Sequence, residues 1–322
     1  MNYISVFSGV EAASVAWKDF GWHAIAFSEI DPFASAVLQY HYPTVPNLGD
    51  ITKIDWSYYA NSIDIIVGGS PCQSFSKIGL REGLAGESGL MFEYIRCVRD
   101  VRPTYFIWEN VIGAFSSEEG AAFGQLLTAM DELGYNLCWR VLDSKYFGVA
   151  QNRRRIWLVG SYGRDTRPAE ILFDTVDVPA YCGKSIGKSL AYTQHPNARL
   201  TYGVSNGAVS HAPRSTFSGK IVFSEESYPT LTCREMYVAQ VDPDSRGWIG
   251  TLTPVEMERL QGFPDNYTRI PYRGKPASKC PMHPRFKAMG NSFCVPVAKW
   301  IGQRLKEYDE KYKSLQNVVD KK

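Results

Sequence analysis

No stretch of this 322-residue sequence approaches the ~18 uninterrupted apolar residues that a membrane span requires, so no membrane partner is expected. Paired cysteines are missing as well. The seven present, at 72, 97, 138, 182, 233, 280 and 294, are odd in number and contain no CxxC, which argues against a disulfide framework and a cysteine-rich metal centre. Cys280 and His283 in KCPMHP come nearest to ligand spacing, but a structural zinc site takes four ligands and no second pair stands nearby, so no metal is expected. MNYISVFSGVEAAS lacks the basic start and small-residue cleavage site of a signal peptide and reads at once as a buried strand entering a turn. A cytoplasmic location is the resulting expectation. An excess of one charge is lacking too: the formal net charge is +2, so a nucleic-acid partner would have to be met by local basic surface.

What remains is an ordinary globular composition, 44% hydrophobic and 21% charged, in a chain long enough for one large core and a smaller second unit. Residues 1 to about 160 repeat one pattern: a short apolar run, a Gly/Pro/Ser/Asp turn, then an amphipathic stretch of helical length. The runs are YISVF (3–7), HAIAF (23–27), DIIVG (64–68), TYFIW (104–108), LCWRVL (137–142) and RIWLVG (155–160). Between them AASVAWKDF, FASAVLQYHY, GLMFEYIRCVRDV and AAFGQLLTAMDEL space their apolar residues by three and four. Parallel strands joined by crossover helices are expected, in a doubly wound, Rossmann-like α/β sheet that binds ligands at the carboxyl ends of its strands.

Helical periodicity vanishes between 171 and 249, where short β-type pieces such as KIVF and MYVAQV alternate with turn residues. A small, irregular, β-rich domain is expected there, with 1–170 before it and 250–322 returning to complete the first domain. Thr253 and Glu256 in TPVE offer a capping box for the helix MERLQGF. A loop over 264–287, the turn AMGNSF, a last helix over 295–314 and frayed final residues NVVDKK complete the reading.

The first strand ends in FSGVEAAS, a turn with one glycine instead of the GxGxxG that a pyrophosphate demands. Glu11 stands in that loop, where a carboxylate would repel phosphate but tolerate the sulfonium of S-adenosylmethionine. Glu29 closes the second strand, the place where an acid meets ribose hydroxyls in this architecture, and Asp50 in GDIT is placed to meet an adenine amino group.

At the end of the third strand GGSPCQSFS delivers Cys72 through two glycines and a proline, in a segment with no core for a small apolar residue to fill. The next strand stops at ENV, bringing Glu109 and Asn110 to the same edge. QNRRR places Arg153 and Arg155 on one face of another strand. A thiol, a carboxyl and two arginines beside a sulfonium suit one chemistry. Cytosine C5 accepts a methyl group once a thiolate has added at C6; an acid at N3 and an arginine at O2 offset the charge that develops. The base has to leave the duplex for this to happen.

FSG, GDIT, GGSPCQ, ENV, QNRRR, TPVEMERLQGFPDNY and MGNS stand in the order of the cytosine-5 DNA methyltransferases, which the chain resembles over nearly its whole length, in their bacterial and phage form. The resemblance implies Cys72 as nucleophile, Glu109 as the N3 partner, and Arg153 and Arg155 as base and loop contacts. It implies S-adenosylmethionine at Phe7, Gly9, Val10, Glu29, Ile30, Asp50, Ile51, Pro71 and Asn291, and a loop from Gln73 to about Gly89 that closes over DNA. Departures are the missing second glycine at Glu11 or Ala12, Ile30 where tryptophan is common, and Arg154 at a position often acidic. The segment 171–249 would be the target recognition domain, with Thr230 and Leu231 as its Thr-Leu element. Its seven Lys/Arg balance seven Asp/Glu, so it would read bases and not simply attract phosphate; Arg199, Arg214, Lys220 and Arg234 are candidates. Double-stranded DNA is the expected partner, a monomer the expected state, and restriction-modification or phage self-protection the expected setting. Two alternatives are a tRNA cytosine-5 methyltransferase, because one branch of the family acts on tRNA, and an inactive DNA-binding relative.

Overall fold

The computed structural model describes residues 1–71, 89–115, 121–163, 166–173, 200–204, 237–241 and 247–319, with 200–204, 237–241, 247–251 and 315–319 as main chain. Cys72, the segment after it, and all the base-reading candidates between 199 and 234 lie outside these residues. The described residues form two sheets. The larger has six strands in the order β2-β1-β3-β4-β6-β5, formed by β1 (Asn2–Val6), β2 (His23–Ser28), β3 (Ile65–Gly68), β4 (Tyr105–Val111), β5 (Tyr135–Asp143) and β6 (Arg154–Tyr162). The smaller is an antiparallel meander of β7 (Leu200–Val204), β8 (Tyr237–Val241) and β9 (Gly247–Thr251).

Period-two alternation divides the apolar residues of the large sheet between two faces. Tyr3, Ile65, Val67, Tyr105, Ile107, Trp157 and Val159 pack on one side with α1 (Ala12–Trp17), α2 (Pro32–His41), α5 (Ala169–Leu172), α6 (Pro254–Gln261), α7 (Met282–Asn291) and α8 (Val295–Val319). Ile4, Ile66, Phe106, Trp108, Ile156 and Leu158 face the other side, under α3 (Gly89–Val101) and α4 (Ala121–Glu132). The first side is closed by residues from both ends of the chain: Trp17 Nε1 on α1 donates to the Ala298 carbonyl on α8 at 2.9 Å. Among the described residues no helix is long and apolar enough to cross a membrane.

Three elements differ from the sequence expectation. β1, β2, β3 and β4 are parallel, but β6 runs antiparallel to both β4 and β5. Between Asp143 and Arg154 the chain is shorter than the dozen or so residues a parallel crossover takes, so it turns back and slots β6 between its neighbours. The expected loop over 264–287 ends early, because α7 begins at Met282; Pro284 falls in its first turn, where no amide hydrogen is needed by the helix. α8 continues to Val319, past the expected end at 314. The capping box at Thr253 forms as expected, with Glu256 Oε2 accepting from Thr253 N at 2.6 Å.

α6 and α7 are held together by a buried ion pair that motif reading did not single out. Glu258, fully buried, accepts from Arg285 Nη2 at 2.9 Å, from the Thr268 amide at 2.9 Å and from the Thr268 hydroxyl. Arg285→Met keeps the apolar stem but leaves a buried carboxylate without its cation, which destabilises the fold by about 3–5 kcal/mol. Urea denaturation checks this: an unchanged midpoint would mean the pair contributes nothing.

Candidate active site

The carboxyl ends of β1, β2 and β3 form a rim that begins with the turn after β1. Phe7, Gly9 and Glu11 all adopt left-handed backbone, at φ 52°, 55° and 66°. Glu29, at the end of β2, ties the turn down: one carboxylate oxygen accepts from Gly9 N and the other from Asp31 N, each at 2.7 Å. Asp50 caps the short helical turn Ile51–Lys53, and hydrogen bonds from the Thr52 hydroxyl and amide hold its carboxyl below the usual carboxylate range. Ile30 is 71% exposed beside this rim, and Pro71 and Asn291 are also at the surface. Val10 and Ile51 point into the core, so only their main chain can face a ligand.

A main-chain turn flanked by the carboxylates of Glu29 and Asp50 suits a ligand with ribose hydroxyls and a positive charge, and would repel a pyrophosphate. One expectation is corrected here. Glu11 does not stand out into the loop; it is fully buried, caps α1, and turns its carboxyl away from the rim. The cause is packing, because its carboxyl fits at the start of α1, where the Ser14 amide and hydroxyl both donate to it.

Glu109 and Asn110 lie within β4, not beyond it. β3 ends opposite Trp108, so residues 109–111 pair only with β6 and their other edge is open to the segment leaving β3. That segment approaches so closely that a Cβ on Gly69 would stand 2.5 Å from the Glu109 carbonyl. Asn110 Nδ2 donates to the Ser70 carbonyl at 3.0 Å, and Trp108 Nε1 donates to Ser70 Oγ at 3.2 Å. Ser70 is thereby fixed two residues before Cys72.

The Glu109 side chain is nearly buried and pairs with Arg155, Nε to Oε1, at 3.4 Å. Burial pushes its carboxyl above the ordinary glutamic value, opposed by the charges of Arg155 and then Arg153. A cavity of about 470 Å³ lined by Ile112, Asp143, Lys145, Asn152, Arg154 and Arg155 adjoins this pair. The alternation expected of the three arginines is present: Arg153 and Arg155 turn inward and Arg154 is exposed. Arg153 is directed elsewhere than Arg155, however. Its Nη2 donates to the carbonyls of Ser292 at 2.8 Å and Gly290 at 3.3 Å, on either side of Asn291. Two buried glutamines strengthen this link. Gln151 Nε2 donates to the Leu260 carbonyl at 2.9 Å, and Gln261 Nε2 to the Met289 carbonyl at 2.7 Å. QNRRR, LQGF and MGNS therefore form one polar joint, which sequence reading treated as three separate motifs. The amide side chains at 151 and 261 were the available signal, since fully buried glutamines need partners.

The family model described as C-5 cytosine-specific DNA methylase matches residues 1–180 and 221–307. A protein of Escherichia phage P1, called a DNA N-6-adenine-methyltransferase, is 29% identical over 94% of this chain, and the chain spans 61% of its length. The Type II methyltransferase M2.BsuMI of Bacillus subtilis is 30% identical, with 95% of this chain and 76% of that one covered. Among solved structures, the Dnmt2 methyltransferase of S. pombe superposes with a TM-score of 0.68 at 16% identity, covering 97% of this chain and 99% of its own, a likeness of fold.

Proposed function

Because the chain belongs to the C-5 cytosine-specific DNA methylase family, we propose that it transfers a methyl group from S-adenosylmethionine to carbon 5 of a cytosine flipped out of duplex DNA. The observation that carries this reading is the junction at the end of β4. There Glu109 is buried against Arg155 while Asn110 and Trp108 hold Ser70, and through it the chain that enters Cys72. S-adenosylmethionine, when bound, supplies a methyl group made electrophilic by its sulfonium charge. Phe7, Gly9 and Glu29 would hold it by main chain and ribose contacts, with Asp50 toward the adenine, Ile30, Pro71 and Asn291 around it, and Val10 and Ile51 through main chain alone.

On the substrate side, the Cys72 thiolate forms a bond to C6 of the cytosine and the electron pair moves toward C5, which takes the methyl group. Glu109, whose carboxyl burial raises against the pull of Arg155 and Arg153, donates to N3 in its protonated form and so neutralises the ring as the thiolate adds. Arg155 stabilises the O2 side, and Arg153 braces the joint behind it. A water molecule then takes the C5 proton, the electrons of that C–H bond expel the Cys72 thiolate and restore the ring double bond, and N3 returns its proton to Glu109.

Residues 171–249 are the proposed target recognition domain between the two parts of the catalytic domain, 1–170 and 250–322. DNA modification, as restriction-modification or phage self-protection, is the proposed role. The name of the phage P1 relative favours a second reading, methylation of the adenine amino group. An exocyclic amine attacks a sulfonium methyl with its own lone pair and has no use for a thiol, so Cys72 in GGSPCQ supports carbon 5. Mass spectrometry of nucleosides from duplex DNA treated with the protein and S-adenosylmethionine separates the two. 5-Methylcytosine is expected; N6-methyladenine alone would overturn the proposal, and methylation confined to tRNA would move the substrate to RNA.

A further inference from the structure

Glu11 occupies a position whose backbone, at φ 66° and ψ 63°, is one that L side chains avoid and glycine adopts freely. Its side chain offsets that strain from within the fold. Oε1 accepts from Ser14 N at 3.0 Å and from Ser14 Oγ at 2.9 Å, capping α1. Ser14 Oγ in turn accepts from the Tyr3 hydroxyl at 2.5 Å. The second oxygen, Oε2, is buried beside Ser5 with no hydrogen bond of ordinary length among the described residues. Burial raises the carboxyl to about 7, so keeping an acid here is unfavourable to the fold unless it does something glycine could not.

The turn is held from both sides. Glu29 grips Gly9 N from the rim, and from beneath the Tyr267 hydroxyl donates to the Val10 carbonyl at 3.0 Å, with the Tyr42 hydroxyl 3.3 Å from that of Tyr267. Glu11 N also donates to the Ser8 carbonyl at 2.9 Å, so Glu11 is both the last residue of the turn and the first cap of the helix that follows. Through that double attachment its carboxyl fixes where Phe7 to Val10 lie relative to α1.

We infer that Glu11 is a positioning residue for the methyl donor, setting cofactor affinity from below the turn by its carboxyl cap instead of by charge attraction at the rim. The inference rests on the assignment of this rim as the S-adenosylmethionine site.

Calorimetric binding of S-adenosylmethionine and of the uncharged thioether S-adenosylhomocysteine to the whole protein tests it. Glu11→Gly relieves the backbone strain but removes the cap, and Glu11→Ala keeps the strain and removes the cap. Each is expected to weaken the two ligands equally, the alanine variant by about fivefold to tenfold, the size of effect a lost side-chain cap carries, and the glycine variant by only about twofold, because glycine is itself a tolerated cap. Glu11→Gln, which keeps an acceptor for Ser14, restores binding to within about twofold, because an amide oxygen caps a helix about as well as a carboxylate. Asp55→Ala removes a cap with the same bonding pattern elsewhere, to Ser57 N and Oγ, and leaves both affinities unchanged, which separates positioning from general loss of stability. An alanine variant that binds like the parent overturns the inference, as does a loss confined to the sulfonium ligand. Failure of the parent protein to bind either ligand would instead reject the rim as the donor site.

Discussion

Cys72→Ser abolishes methyl transfer while cofactor affinity stays at the parent value. The serine hydroxyl keeps its proton at neutral pH and is a far weaker nucleophile than a thiolate, so addition at C6 fails and C5 never becomes reactive. Loss of a nucleophile from a covalent catalyst lowers turnover by a factor on the order of 10⁶, which places this variant below detection in a tritium-transfer assay. The covalent step has its own readout. On duplex DNA carrying 5-fluorocytosine the parent protein forms a denaturation-resistant adduct in the presence of the methyl donor, because fluorine at C5 cannot leave as the proton does and the C6–S bond persists. The serine variant forms none. Turnover by Cys72→Ser, or a parent protein that is never trapped on any duplex it methylates, would remove the thiol from the reaction.

The second large effect is expected at Glu109. Glu109→Gln retains the size and the fit against Arg155 but has no acidic proton to give to N3, so the methylation rate falls by about 10²–10⁴-fold, the usual contribution of a positioned general acid. DNA and cofactor affinities change little. The pH profile adds a direction. Burial raises this carboxyl, so the proton it donates persists to higher pH than on an exposed glutamate, and the rate declines on the alkaline side as Glu109 ionises. In the glutamine variant that alkaline limb is missing. An unchanged rate, or an alkaline limb that survives the substitution, would assign the proton to another group.

Both predictions concern residues whose types and order were readable from sequence. GGSPC and ENV each follow a strong apolar run, and a doubly wound sheet brings the ends of such runs to one edge; QNRRR instead opens a run, and Arg155 reaches the Glu109 edge because β6 is antiparallel to β4. Glu109 and Arg155 do meet. The direction of a single strand was less visible, although the shortness of the link between β5 and β6 already implied a reversal. α7 was hidden by His283 and Pro284, which look like loop residues until their place in the first turn is known.

Periodicity and motif order were sufficient for the positions of the strands and of most helices, because each is specified by neighbours a few residues apart. The inward turn of Glu11, the grip of Arg153 on the carbonyls beside Asn291, and the Glu258–Arg285 pair are of another kind. Each buries a polar group, and a buried charge or amide settles where its hydrogen bonds can be completed: Glu11 on Ser14 under the turn, Arg153 on the distant Gly290 and Ser292 carbonyls, Glu258 on Thr268 and Arg285. Those locations exist only once the elements that carry the partners have packed together.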